Sequence, residues 1–126
     1  MAKELYEKGL AVRKDVLGSD YVQRQLAAAD DFNKPLQELV TEYCWGWLWT
    51  RPQLPRKTRS LLNLAILSSL NRGTEFKAHV KGALTNGCSK DEIREVLLQV
   101  AVYCGVPAGV EAFRLAREVF AESEKR

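Results

Sequence analysis

His79 is the only histidine of the chain, and Glu75 stands four residues before it. On a helix this spacing puts the two side chains on one face. A carboxylate there can orient the imidazole and raise its pKa, which suits a general acid or base. The same spacing also describes a surface or core histidine with a passing ion pair. Four arginines, Arg51, Arg56, Arg59 and Arg72, bracket the most apolar stretch of the sequence. A guanidinium grips a carboxylate through a planar pair of donors. The set therefore points to an acidic ligand, with ordinary surface charge as the alternative for each arginine taken alone.

Other chemistries find little support. Cys44, Cys88 and Cys104 are widely spaced and contain no CxxC pair. With one histidine and no Cys/His cluster, neither a metal nor an organic cofactor is expected. Cys44 and Cys104 fall on apolar-patterned helices and read as buried, whereas Cys88 reads as an exposed thiol in a turn. No glycine-rich phosphate loop or serine elbow is present. The net charge is only +3, with basic and acidic residues interleaved, so no nucleic-acid stripe forms. Met1-Ala2-Lys3-Glu4 opens directly into an amphipathic pattern, and no run approaches the length of a membrane span. A cytoplasmic protein of one domain, residues 1–126, with reduced thiols is expected.

The elements that carry these residues all show helical periodicity. The pattern predicts a first helix over 2–16, stopped by Gly18, and a second capped by Asp20 and running to Ala29. A third begins near Asn33, with Pro35 in its first turn. It places Leu36, Leu39, Val40, Tyr43, Cys44 and Trp47 on one face. Pro52 and Pro55 break it. The fourth carries Leu61, Leu62, Leu64, Ile66, Leu67 and Leu70, is apolar nearly all round, and should be buried, with Gly73 as its stop. Thr74 can cap a fifth over 75–85. Ser89-Lys90-Asp91-Glu92 has the form of a capping box opening a sixth, which ends at Gly105. Pro107 opens a seventh, and the charged end from Glu122 to Arg126 should fray. Trp45 and Trp49 lie one turn apart while Trp47 points away. Burying both faces calls for an oligomer interface, the alternative being one half-exposed tryptophan.

The ordered set Trp49-Thr50-Arg51-Pro52, Leu54-Pro55-Arg56, Thr58-Arg59-Ser60-Leu61, Asn71-Arg72, Glu75 to His79, Asn86-Gly87, Asp91-Glu92-Ile93 and Tyr103-Cys104-Gly105-Val106-Pro107 resembles the carboxymuconolactone decarboxylases. The likeness spans roughly residues 5 to 120. It implies an all-α subunit of alkyl hydroperoxidase D-like fold, assembled as a trimeric or hexameric ring. The implied reaction converts 4-carboxymuconolactone to 3-oxoadipate enol-lactone and carbon dioxide in protocatechuate degradation, the β-ketoadipate route of aromatic catabolism. The unsaturated lactone accepts the released electrons, so no cofactor is needed. On this resemblance Arg51, Arg59 and Arg72 hold carboxylates, His79 supplies the proton and Glu75 orients it.

Two departures qualify the likeness. The dedicated decarboxylases read His-Ala-Trp-Gly-Asp where this chain has Tyr43-Cys44-Trp45-Gly46-Trp47. Tyr43 and Trp47 would then line a more apolar pocket, suited to a related lactone or keto acid. The peroxidase branch carries a CxxC pair where Arg72 and Glu75 stand here, which argues against thiol peroxidase activity. A hydroperoxidase-like redox protein and a non-catalytic acid-binding oligomer are the alternatives.

Overall fold

The computed structural model describes residues 2–125. Among them it contains seven α-helices and one π-helix and no strand. The chain falls into two compact units, 1–55 and 56–126. No helix of the described residues is long and apolar enough to cross a membrane.

The first unit holds α1 (Ala2–Leu17), α2 (Ser19–Ala27), α3 (Lys34–Leu39) and the π-helix (Val40–Leu48), which continues α3. Gly18 ends α1 at a φ of 95°, a conformation that costs glycine little. It also occupies the cap position of α2, so Asp20 is not the cap that the sequence suggested. In the π-helix the N–H of Trp49 donates to the carbonyl of Cys44, five residues back, at 3.0 Å. The hydroxyl of Thr50 donates to the Gly46 carbonyl and occupies one of the open carbonyls at this end.

Two glycines let α1 and the π-helix touch backbone to backbone. A Cβ on Gly9 would lie 1.9 Å from the Thr41 carbonyl oxygen, and one on Gly46 would lie 2.4 Å from that of Leu5. The face of the third segment that packs inward is therefore Thr41, Trp45, Gly46 and Trp49. Leu36, Leu39, Tyr43 and Trp47 face outward, the reverse of what the apolar periodicity predicted. Trp45 and Trp49 stack at 4.7 Å between ring centroids and are both buried, while Trp47 is 53% exposed.

The second unit is a four-helix arrangement: α4 (Arg56–Ser69), α5 (Gly73–Thr85), α6 (Lys90–Cys104) and α7 (Val106–Glu124). Leu64, Phe76, Val80, Ile93, Leu97, Ala112, Ala116 and Val119 form its core. The Ser89–Glu92 capping box is present in both directions. Gly105 breaks α6 from α7 at a φ of 117°. Asn71, not Gly73, takes the left-handed turn between α4 and α5, at a φ of 59°. Gly73 begins α5, and Thr74 makes no cap. α4 is not buried all round, because Leu62, Ile66 and Leu70 form an exposed row. α7 stays helical to Glu124, and the fraying expected at Arg126 lies outside the described residues.

Two substitutions check this account by denaturant unfolding. Gly9→Ala drives a methyl into backbone and should cost about 3 kcal/mol or more. Ser89→Ala removes one half of the capping box and should cost about 1 kcal/mol.

Candidate active site

Arg59 sits in the first turns of α4 with only 8% of its surface exposed. A guanidinium held at that depth is a strong local source of positive potential. Arg72 is exposed at the head of α5, where it lines a cleft of about 100 Å³ with Asn71, Phe76 and Glu111. Glu75 and His79 follow on the same helix, one turn apart. Glu75 is exposed and His79 is half-buried.

Burial sets the charge of His79. It pushes the imidazole pKa down from 6.5 to about 4. The expected rise through Glu75 is not what the structure produces, since desolvation is the cause and it acts in the opposite direction. The imidazole is therefore neutral near pH 7, able to accept a proton or to donate one N–H bond.

In the first unit Tyr43 and Trp47 project outward from the π-helix at 55% and 53% exposure. The Arg51 guanidinium lies 5.0 Å from the centre of the Trp47 ring, a cation–π contact that steadies both. One turn inward lies a residue that sequence patterning did not single out. Arg13 of α1 is buried, and its Nη1 donates to Gln37 Oε1 at 3.0 Å and to Thr41 Oγ1 at 3.1 Å. Burial pushes its pKa down. A lone arginine on an amphipathic helix carries no sequence signal for this, because its partners lie 24 and 28 residues away.

The cysteines reverse their expected places. Cys44 and Cys104 are exposed, whereas Cys88 is buried with its thiol directed at the Lys57 carbonyl. Cys44 lies on the outward face of the third segment and Cys104 closes α6 after exposed Val102 and Tyr103, while the turn holding Cys88 packs beneath α4. Burial raises the Cys44 pKa, and the neighbouring Arg13 charge offsets part of the rise. None of the three is in a disulfide. Among the described residues no group of three His, Cys, Asp or Glu side chains could hold a metal ion.

A helical protein with a neutral, half-buried imidazole and a buried arginine, and without a dithiol at that imidazole, fits the decarboxylase side of its fold class better than the peroxidase side. Residues 34–118 match the Carboxymuconolactone decarboxylase family, and the chain belongs to it. It is 48% identical over 110 residues to the nitrosuccinic acid decarboxylase of Metarhizium robertsii, covering 87% of this chain and 77% of that one. It is 42% identical over 118 residues to the 4-carboxymuconolactone decarboxylase of Acinetobacter baylyi, covering 94% and 88%. An uncharacterized 15.0 kDa protein of Paracoccus denitrificans is 31% identical over 88 residues.

The His79 shift has a consequence for stability. Unfolding returns the imidazole to its ordinary pKa of 6.5, so the unfolded chain takes up a proton first as pH falls. The stabilisation is complete above that value and is lost as pH drops toward 4. A shift of this size corresponds to about 3 kcal/mol. Denaturant unfolding between neutral pH and pH 4 should show wild type losing about that much more than His79→Gln.

Proposed function

We propose that this protein is a cofactor-free decarboxylase of small dicarboxylic acids that carry their own electron sink. The observation behind this is its similarity, over most of its length, to two decarboxylases named for chemically different acids. Nitrosuccinic acid has two carboxyl groups and a nitro group, and losing the carboxyl beside the nitro group leaves a nitronate. In 4-carboxymuconolactone the electrons pass instead into the conjugated lactone as a dienolate. In both, the C–C bond to the departing carboxylate breaks, carbon dioxide leaves, and the electron pair rests on substrate oxygens until carbon takes a proton. The protein need only bind the carboxylates, stabilise the anion and manage one proton.

The roles follow from chemistry. Arg59, buried and permanently charged, binds a carboxylate or the developing anion. The roles that the family resemblance gives the remaining residues are carboxylate binding for Arg51 and Arg72 and contact with the substrate body for Tyr43 and Trp47. His79 begins neutral. The arrival of a dianion raises its proton affinity, so it takes up a proton and passes it to carbon after carbon dioxide departs. Glu75, one turn away, orients the imidazole as the proton moves. We also infer that the chain acts as one domain, since the family match crosses the boundary at Pro55. The same reading places it in the cytoplasm as a ring-shaped homo-oligomer. The exposed Leu62, Ile66 and Leu70 row, with Val102, Tyr103, Val106 and Val110, supports association between copies. Its place is among enzymes that degrade acids of this kind, the protocatechuate branch of aromatic catabolism included.

The test is carbon dioxide release from each of the two acids. Turnover of at least one by wild type is expected, with a fall on the order of a hundredfold in folded His79→Ala. Unchanged turnover in that variant would remove His79 from the mechanism. No turnover of either acid would refute the substrate class.

A further inference from the structure

Arg13 is a cation buried to 94%, and among the described residues no carboxylate pairs with it. Its Nε makes no hydrogen bond there. Burying a charge against neutral acceptors is expensive, and an apolar side chain of similar volume would serve the packing at lower cost. What the guanidinium does instead is bridge two consecutive turns. Nη1 reaches Gln37 on α3 and Thr41 in the π-helix, and the Thr41 hydroxyl donates in turn to the Gln37 carbonyl at 2.7 Å. These bonds close a small network at the junction where α geometry gives way to π.

That junction decides where the following side chains point. π-Helices are rare and recur at functional sites, because the wider turn re-aims residues that an α-helix would place elsewhere. Here the re-aimed residues are Tyr43 and Trp47, outward, and Trp45 and Trp49, inward. Gly9 and Gly46 fix how closely α1 and the π-helix approach. Contact between bare backbones leaves rotation about the helix axis less constrained, and Arg13 supplies the directional bonds.

We propose that Arg13 is a positioning residue: it clamps the Gln37–Thr41 turn so that the π-helix presents Tyr43 and Trp47 in the orientation that selects the acid substrate. The proposal rests on the decarboxylase reading for the identity of the ligand, but its structural half stands apart from it. Losing a clamp that acts on substrate contacts equally good in ground and transition states raises KM and leaves kcat nearly unchanged.

Three variants are compared: Arg13→Met, which keeps length without charge or donors; Arg13→Lys, which restores charge and donors; and Thr41→Val, which removes one acceptor while keeping shape. KM and kcat are measured with whichever of nitrosuccinic acid and 4-carboxymuconolactone wild type turns over, and hydrogen exchange is followed across the amides of 43–49. Arg13→Met should raise KM about tenfold with kcat within twofold, and should speed exchange at 43–49 about tenfold while leaving α5 to α7 unchanged. Arg13→Lys should recover most of the KM, and Thr41→Val should shift both readouts in the same direction by less. Wild-type KM and wild-type exchange in Arg13→Met would overturn the proposal. If Arg13→Met does not fold, Thr41→Val decides on the same two readouts. If wild type turns over neither acid, the functional reading fails, and exchange at 43–49 decides the clamp by itself.

Discussion

Backbone contact between α1 and the π-helix is the constraint on which the first unit depends. At Gly9 and Gly46 there is no room for even a methyl group. Once two helices approach that closely, little side-chain volume fits between them at the point of contact, and the glycine contact rather than apolar periodicity fixes which face is inward. Thr41 and Gly46 go inside, Trp45 and Trp49 stack and are buried, and Leu36, Leu39, Tyr43 and Trp47 are turned outward. Tyr43 and Trp47 owe their exposure to this exclusion.

The second unit follows the more usual rule. Its helices bury aliphatic and aromatic side chains in one cluster, and polar atoms inside it are satisfied locally. The Ser68 hydroxyl donates to the Leu64 carbonyl of its own helix at 2.6 Å, and Asn86 donates to the buried Ser60 hydroxyl at 2.9 Å. Arg59 is buried in the same helix, whose other buried residues are Ser60, Leu64 and Ser68.

Much of this was legible in the sequence, and the failures have common causes. The Ser89–Glu92 box, the Gly18 and Gly105 stops, the proline-opened α7 and the opposed tryptophans are local signals, and local geometry honours them. The third helix misled because periodicity assumes α geometry and assumes that apolar means inward. A π-helix breaks the first assumption, and a glycine contact breaks the second. Cys44 was misplaced for the same reason, whereas Cys104 is the last residue of α6, following exposed Val102 and Tyr103. Asn71 took the left-handed turn in place of Gly73, since asparagine tolerates that conformation almost as well. The candidate site was legible only as residue types. Spacing can pair Glu75 with His79, but it cannot report desolvation, and desolvation sets the imidazole's pKa. Arg13 was invisible because its meaning lies entirely in partners distant along the chain.

On the proposed mechanism, an imidazole held neutral by burial would tie ligand binding to proton uptake. A dianion entering beside His79 would draw a proton from the solvent before any bond breaks. The heat of binding would then depend on the ionisation enthalpy of whichever buffer surrenders that proton. In that sense the depressed pKa would act as a gate on the proposed chemistry: the acid form would be scarce until a charged ligand arrived.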